Sequence, residues 1–223
     1  MKKILHIDTS GTVASIAFSQ EQACLVEKTN DRLQDHATWI HTAIQEASIT
    51  CKIPLKELDG ISVTIGPGSY TGLRVGLSTA KGFCYALQKP LLTIPTLELM
   101  ASVVPCKTDQ LICPMIDARR MEVYTALYDK AIKEIQPAHA LILDANSFEA
   151  VLEKQAVLFT GNGAVKFKEI CTHKNAHFLD LAATAKDQIP IALRKFLNNE
   201  FADLAYSDPL YVKEFYTPPS STY

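Results

Sequence analysis

Hydrophobic positions recur along this chain with two different spacings, and together these spacings predict an α/β protein. Short runs of β-branched and other apolar residues, such as 61–65, indicate buried strands. Two longer segments place apolar residues every three or four positions, which predicts amphipathic helices over 31–48 and 71–87. The apolar face of the second helix is formed by Leu73, Leu77, Ala80, Cys84 and Leu87.

The same order of elements occurs twice. In the first half the pattern predicts strands at 4–7, 13–18 and 24–26, a helix at 31–48, a strand at 61–65, a helix at 71–87, a strand at 91–94 and a helix at 96–102 with Thr96 as its N-cap. The second half gives strands at 111–116, 122–128 and 138–143, a helix at 147–154, a strand at 157–160, a helix after 164, a strand at 177–179 and a largely helical segment 182–200 interrupted near Pro190. Each half therefore reads βββαβαβα.

Two such halves predict two α/β lobes with a cleft between them. Three antiparallel strands followed by parallel strands fit a mixed, ribonuclease-H-like sheet in each lobe, which is the architecture of the actin-like ATPase superfamily. We place the first lobe at 1–105 and the second at 106–205. Residues 206–223 are expected to form a last strand and a flexible tail, with a return of this segment to the first lobe left open.

A glycine-rich turn, Gly66-Pro67-Gly68, separates the strand at 61–65 from the helix that follows, and Ser69 or Thr71 can cap that helix. Free N–H groups at a helix N-terminus favour anions. However, the Lys-Ser/Thr of a Walker A loop is missing after Gly72, and Thr71 stands where a dinucleotide fingerprint has Gly or Ala. A phosphate loop and a tight connection without ligand are equally compatible with this turn.

Small residues cover much of the helix predicted at 71–87, namely Gly72, Gly76, Thr79, Ala80 and Gly82. Each interior glycine costs a helix about 1 kcal/mol relative to alanine, so a compensating contact is expected. Two interpretations remain open at this point. Another helix or the sheet could approach closely within the protomer, or the small surface could form a subunit interface.

The bulk composition excludes several classes of protein. The chain has 223 residues, of which 48% are hydrophobic and 21% charged, and its net charge is −2. This balance is ordinary for a globular protein and gives no basic excess for unaided nucleic-acid binding. No apolar run is long enough for a membrane span or a signal peptide, and the six cysteines show no C-x-x-C spacing. We therefore expect a cytoplasmic protein with reduced, mostly buried cysteines.

Three sequence blocks carry a resemblance to a known family: Ile7-Asp8-Thr9-Ser10, the stretch GPGSYTGLRVG at 66–76, and DARRMEVY at 117–124. In these blocks the chain resembles the TsaB family, also called YeaZ, whose bacterial members are required to make N6-threonylcarbamoyladenosine (t6A) in tRNA. The resemblance extends from about residue 1 to residue 212, and its central block is long and specific.

The resemblance implies a non-catalytic scaffold or activating subunit with the two-lobed fold. Such a subunit pairs with a catalytic paralogue, TsaD, is joined by a small ATPase, TsaE, forms homodimers when alone, and reaches tRNA only through the complex. The first-lobe helices make the contact, which implies the following interface residues: Leu33, His36, Ala37, Trp39, Ile40, Ile44, Thr71, Leu73, Arg74, Gly76, Leu77, Ala80 and Phe83. A buried, unpaired charge is costly, so we expect Arg74 to pair with a carboxylate within the protomer or across the interface.

The alternative function is an ATP-binding enzyme of the actin-like superfamily, either an ATPase or a small-molecule kinase. In that superfamily, loops at the start of each lobe hold nucleotide phosphates, and here the corresponding residues are Asp8, Thr9, Ser10, Asp117, Gly161 and Gly163. Gly11 stands where many relatives have Thr or Ser, which weakens the first loop. No cofactor is firmly predicted, and ATP or ADP binding is expected to be weak or absent.

Metal-dependent catalysis is disfavoured by the histidine spacing. TsaD relatives hold a metal with a His-x-x-x-His pair, whereas His36 and His41 are five residues apart. That spacing separates the two rings by about 140° around a helix, so they cannot chelate one ion. We therefore predict no metal site, and no Ser-His-Asp set or His-Glu-x-x-His motif is recognisable.

Overall fold

The computed structural model describes residues 1–32, 35–107 and 109–213, without the side chain of His36. Two five-stranded mixed sheets form its framework, and each sheet with its helices is called a lobe below. The sheet of the first lobe has the strand order β3-β2-β1-β4-β5, with bounds β1 Lys3–Asp8, β2 Ala14–Gln20, β3 Ala23–Asn30, β4 Gly60–Gly66 and β5 Leu91–Pro95. Strands β1 to β3 are antiparallel, while β4 pairs in parallel with both β1 and β5.

The second sheet repeats this topology. Its order is β10-β9-β6-β7-β8, with bounds β6 Gln110–Asp117, β7 Glu122–Tyr128, β8 Glu134–Ile142, β9 Ala156–Thr160 and β10 Ala176–Leu179. Strands β6 to β8 are antiparallel, and β9 pairs in parallel with both β6 and β10. The two-lobed fold with mixed, ribonuclease-H-like sheets that the repeated pattern predicts is therefore confirmed.

Six α-helices complete the described part of the chain: α1 His36–Cys51, α2 Tyr70–Leu87, α3 Thr96–Ser102, α4 Glu149–Leu152, α5 Ala164–Lys168 and α6 Ile189–Leu197. Helix α1 begins later than the apolar spacing predicts. The helix predicted over 182–200 is shorter than expected, because a 3-10 turn, Ala185–Gln188, precedes α6. Pro190 lies in the first turn of α6, where its missing N–H costs nothing, so it starts this helix and does not interrupt it.

The last helix of each half packs on the sheet of the other half. Leu97 and Ala101 of α3 lie in one buried cluster with Ile112 and Ala126 of the second sheet. Helix α6 contributes to a cluster with the first sheet, formed by Ile4, Leu92, Ile94, Leu99, Ile191 and Ala192. The lobe bounds of 1–105 and 106–205 stay a prediction, since each of these helices belongs to the core of the other lobe.

Residues 200–213, called the C-terminal strap below, run back along the first lobe. Ala202 forms a β-bridge with Leu91, and the Leu210 N–H donates to the Ile65 carbonyl. Lys81 Nζ of α2 donates to the carbonyls of residues 205 and 207 at 3.2 and 3.0 Å. No helix in the described ranges combines the length and hydrophobicity needed to cross a bilayer.

Candidate functional site

Contact with the β1–β2 loop explains why three positions in and just before α2 are glycine. A Cβ atom built on Gly68 would lie 2.4 Å from the Ser10 carbonyl oxygen, and one on Gly72 would lie 2.0 Å from the Thr9 carbonyl oxygen. On Gly76 it would lie 2.3 Å from the Thr9 hydroxyl. These glycines therefore allow the loop to pack directly on the helix. Of the two interpretations of the small residues, a close contact within the protomer applies to these glycines, and a subunit interface is not needed to explain them.

Hydrogen bonds fix this loop on the start of α2. The Thr9 hydroxyl donates to the Gly72 carbonyl at 2.7 Å, and the Ser69 N–H donates to the Ser10 carbonyl at 2.8 Å. Ser69 caps the helix as predicted, because its hydroxyl oxygen accepts the Gly72 N–H at 3.2 Å. The glycine-rich turn thus connects β4 to α2 and packs against the β1–β2 loop.

The outward face of α2 has a different composition. Thr71, Arg74, Ser78, Gly82 and Tyr85 are exposed, and their spacing of three or four residues places them on one side of the helix. A Cβ atom on Gly82 would meet no atom within 4 Å. Nothing within the described protomer therefore requires a glycine at this position, although it lowers helix stability.

The predicted interface residues fall into three groups in the structure. The first group is buried in the core: Ile40, Ile44, Leu73, Gly76, Leu77 and Ala80. The second group is exposed or half-buried and available for contact: Ala37, Trp39, Thr71, Arg74 and Phe83. Leu33 and the side chain of His36 lie outside the described residues. Ser78, Gly82 and Tyr85 are exposed on the side of α2 opposite to its apolar residues, and none of them is among the interface residues that the family resemblance implies.

The partners of Arg74 within the described residues are aromatic. Its Nε donates to the Tyr211 hydroxyl at 3.1 Å, and its guanidinium lies 4.2 Å from the centroid of the Tyr70 ring. The hydrogen bond with Tyr211 raises the pKa of Arg74. The expected carboxylate partner within the protomer is therefore wrong for the part of the chain described, and the C-terminal strap orients Arg74 on the outer face of α2.

The two halves of the chain meet at a cleft of about 330 Å³, and Asp8, Ser10 and Gly161 are among its lining residues. Asp8 is almost completely buried, and its Oδ1 accepts hydrogen bonds from the Ser10 N–H, the Ser10 hydroxyl and the Thr64 hydroxyl at 2.6–3.0 Å. Thr9, the third candidate residue of this loop, faces α2 and not the cleft. The first loop therefore contributes two of its three predicted side chains to the cleft.

In the corresponding loop of the second lobe, Asp117 is not among the residues that line the cleft. Asp117 Oδ1 lies 2.7 Å from Lys166 Nζ and accepts the Arg119 N–H at 2.7 Å. The hydrogen bond from Lys166 lowers the pKa of Asp117. Lys166 thus has a structural partner in this loop. A Cβ atom on Gly163 would clash with Val123 at 2.9 Å, so this glycine allows the loop to pack on the sheet.

The part of the cleft wall formed by the described residues is mainly apolar. The lining residues are Asp8, Ser10, Gly11, Thr12, Val13, Thr96, Leu99, Met100, Ile116, Gly161, Asn162, Val165, Asp180, Leu181, Ala182 and Ala183. Neither Lys, Arg nor His occurs among them, whereas Asp8 and Asp180 are acidic. Basic side chains, backbone N–H groups and bound cations hold the phosphates of a nucleotide, and the described lining offers no basic side chain for this purpose.

The cysteines do not provide a nucleophile in this cleft. Two of them, Cys84 and Cys113, are buried, and burial raises the pKa of each thiol to about 12. Cys24 is exposed and the other three are half-buried, so fewer are fully buried than the sequence suggests. Among residues 1–32, 35–107 and 109–213, no three His, Cys, Asp or Glu side chains are grouped to hold a metal ion.

Comparison with known proteins places the chain in a family. The family model TsaD, described as tRNA N6-adenosine threonylcarbamoyltransferase, matches residues 29–214. The tRNA threonylcarbamoyladenosine biosynthesis protein TsaB of Bacillus subtilis (strain 168) is 33% identical over 171 residues, which are 75% of this chain and 74% of that protein. TsaB of Escherichia coli (strain K12) is 24% identical over 230 residues, covering 95% of this chain and 94% of that protein.

Solved structures agree with this assignment at the level of the fold. YeaZ from Pseudomonas aeruginosa superimposes with a TM-score of 0.78 at 22% identity, covering 95% of this chain and all of that chain (100%). The family resemblance seen in the three sequence blocks is thereby confirmed. The chain belongs to the TsaB family of tRNA threonylcarbamoyladenosine biosynthesis proteins, and it matches the TsaD family model over most of its length.

Proposed function

We propose that this protein is a non-catalytic scaffold subunit for t6A synthesis, which binds a TsaD-like catalytic paralogue through the outward faces of α1 and α2. Membership of the TsaB family supports the role in t6A biosynthesis. The match to the TsaD family model supports a partner of related fold. A TsaE-like ATPase is a further proposed component of the assembly, and tRNA is reached through the complex.

The observation that carries this proposal is the composition of the outward face of α2. Ser78 and Gly82 are small and exposed, and Gly82 has open space beside it. A partner helix can approach such a surface closely, and the apolar area buried there offsets the low helix propensity of glycine. Tyr85, which is 80% exposed on the same face, is the kind of aromatic residue that dominates binding energy at interfaces.

Helix α1 extends this surface. The rings of His41 in α1 and Phe83 in α2 lie 6.1 Å apart, so the two helices are neighbours and present adjacent faces. His41, Thr42, Gln45 and Ile49 of α1 are exposed. We propose the same two-helix surface for the homodimer that forms when the partner is missing, so the two assemblies compete for one face.

The alternative, an ATPase or small-molecule kinase, is weakened by the cleft. Its lining contains two carboxylates and no basic side chain, and the Thr9 hydroxyl is used within the protomer. Phosphate transfer requires positive charge or backbone N–H groups around the transferred phosphoryl group. A scaffold without phosphoryl chemistry accounts better for this arrangement.

The interface is tested by introducing a large charged side chain on the outward face of α2. We expect Gly82→Arg and Ser78→Arg each to weaken binding to the organism's own TsaD-like subunit at least about tenfold, measured by calorimetry with the purified proteins. The matched control is Ala150→Arg, which also replaces a small exposed helical residue but lies in α4 of the second lobe. Wild-type affinity in both α2 variants would exclude this face as the interface.

The role in the modification is tested in cells. Depletion of the protein is expected to remove t6A from bulk tRNA, as measured by mass spectrometry of nucleosides. Gly82→Arg should fail to restore it, whereas Ala150→Arg should restore it fully. Persistence of t6A after depletion would disprove the proposed function, while loss of t6A with full rescue by Gly82→Arg would disprove only the interface.

A further inference from the structure

The cleft between the lobes has the dimensions of a small-molecule site. Its volume of about 330 Å³ is at the lower end of the range of roughly 300–1,000 Å³ that is typical of ligand pockets. Asp8 and Ser10 at the end of β1 form one side, while Asn162 after β9 and Asp180 after β10 form another. A ligand in this cleft would therefore contact both sheets at once.

Asp8 contributes a carboxylate to the lining of the cleft. The residue is only 5% exposed, and its three hydrogen-bond donors all contact Oδ1. Its Oδ2 accepts no hydrogen bond from the described residues, and Asp8 takes part in none of the ion pairs found among them. Asp8 lines the cleft and has no positive partner among the described residues, so a cation placed beside Oδ2 would be attracted to this carboxylate.

A second buried group in the same cleft also lacks a partner. Thr96, the first residue of α3, is 5% exposed, and its Oγ1 forms no hydrogen bond within the described part of the chain. The sequence predicted Thr96 as the N-cap of this helix, but Pro95 occupies that position, so the hydroxyl has no capping role. Buried hydroxyls are nearly always hydrogen-bonded in folded proteins, so Thr96 Oγ1 is left for a partner that the described residues do not supply.

The remaining walls determine what kind of molecule fits. Leu99, Met100, Ile116 and Leu181 supply a hydrocarbon surface, whose burial against an apolar ligand is favourable. Asp8 and Asp180 disfavour an anion in this cleft, and the described lining has no basic side chain to offset them. A bare divalent ion requires six or more oxygen ligands, and no three potential metal-ligating side chains are grouped in the described ranges.

We propose that the cleft binds a small organic ammonium ion with an apolar body, its nitrogen at Asp8 Oδ2 and its hydrocarbon part against Leu99, Met100 and Ile116. Asp180 adds negative charge on the opposite side. This inference goes beyond the scaffold function and does not depend on it, because it uses the cleft and not the outward faces of α1 and α2.

The test uses 2-phenylethylamine, which is an ammonium ion at pH 7.5, and two matched molecules without its charge. Calorimetric titration of the full chain is expected to give a Kd below about 1 mM for the amine. Neutral 2-phenylethanol should bind at least about tenfold more weakly, and anionic 3-phenylpropanoate should not bind. Equal affinity for the amine and the alcohol would overturn the proposal, as would no amine binding at 10 mM.

Variants locate the site. Asp8→Asn retains the Oδ1 acceptor and removes the charge, so amine affinity should fall at least about tenfold. The control is Asp144→Asn, because Asp144 Oδ1 also accepts a backbone N–H and a serine hydroxyl but lies in an exposed turn; its amine affinity should stay at the wild-type value. Unchanged affinity in Asp8→Asn would place the amine elsewhere and overturn the assignment.

A further variant and a competition experiment complete the test. Val165 is 64% exposed at the cleft, so Val165→Lys leaves the core intact and should weaken amine binding at least about fivefold by charge repulsion. Magnesium chloride at 10 mM should leave the amine affinity unchanged. Displacement of the amine by Mg²⁺ would identify a divalent-cation site and overturn the proposal, as would full amine affinity in Val165→Lys.

Discussion

Gly72→Ala is expected to lower the free energy of unfolding by about 3 kcal/mol or more, although alanine is the better helix former. The added methyl group would lie 2.0 Å from the Thr9 carbonyl oxygen, which is backbone and cannot turn aside. Relief requires the β1–β2 loop to move off α2. That movement breaks the hydrogen bond from the Thr9 hydroxyl to the Gly72 carbonyl and the one from the Ser69 N–H to the Ser10 carbonyl.

The matched control for this variant is Gly82→Ala in the same helix. Its methyl group meets nothing within 4 Å, so the better helix propensity of alanine should raise the free energy of unfolding by about 0.5–1 kcal/mol. Urea denaturation followed by circular dichroism measures both values. Equal effects of the two substitutions would show that glycine in α2 is not required by the contact with Thr9.

The protein is expected to lose about 2.5 kcal/mol of stability between pH 7.5 and pH 4.5 through one buried histidine. Burial lowers the pKa of His6 to about 3, from a usual value of 6.5. His6 Nδ1 lies 2.7 Å from the Ser62 hydroxyl, which itself donates to Gln188 Oε1 at 2.6 Å. Nδ1 therefore carries the hydrogen, and Nε2 accepts from the Ser19 hydroxyl at 2.8 Å, which fixes a neutral imidazole.

The direction of the pH effect follows from proton uptake. Below pH 6.5 the unfolded chain binds a proton at His6, while the folded protein does not bind it until about pH 3. The stability is therefore fully present above pH 6.5 and decreases as the pH falls, with a slope that approaches about 1.4 kcal/mol per pH unit. Carboxylates with lowered pKa values, such as Asp117 and Glu57, reduce the stability of the folded protein mainly below pH 4.5, where they become protonated.

Urea denaturation at intervals from pH 7.5 to pH 4.5 measures this dependence. His6→Asn removes the titrating group, so it should lower stability at pH 7.5 and flatten the profile over this range. His177→Asn replaces an exposed histidine of β10 and should leave the wild-type slope. A flat wild-type profile would mean that His6 accepts its proton inside the folded protein.

The His6 network also has a structural role that the sequence could not reveal. Gln188 precedes α6, and its Nε2 donates to the Ile7 carbonyl of β1 at 2.8 Å. Nearby, the Ala185 N–H donates to the Ser15 hydroxyl at 2.8 Å. The two partners in each of these bonds are more than 150 residues apart. Such pairs leave no periodic signal, because nothing in local spacing relates a serine in one half to a turn in the other.

Local sequence predicted the elements more accurately than it predicted their surroundings. The repeated βββαβαβα order gave both sheets, because strand and helix periodicities depend only on neighbouring residues. The turn at Gly66-Pro67-Gly68 and the Ser69 cap were also predictable, since conformational preference is a property of the residue itself. Strand β8 and helices α1, α4 and α6 differ in length from the prediction, because their ends depend on tertiary contacts.

The candidate site was predicted less well. The resemblance to the TsaB family implied an interface on α1 and α2, but it could not separate Leu77, which is in the core, from Gly82, which is exposed. Thr9 and Asp117 were assigned to the cleft by analogy between the halves. Thr9 instead donates a hydrogen bond to α2, and Asp117 accepts one from Lys166. The two loops differ because each packs on a different neighbour.

The sequence by itself determined the family, the number of lobes and the order of strands and helices, since these follow from motifs and short-range periodicity. Only the tertiary structure decided which glycines the protomer requires, which helix faces remain outside, and which polar groups in the cleft lack a partner. The physical reason is that burial and hydrogen-bond satisfaction depend on atoms brought together from distant parts of the chain. Gly72 and Gly82 are both glycines of α2. A side chain at position 72 would clash with Thr9, whereas one at position 82 would meet open space.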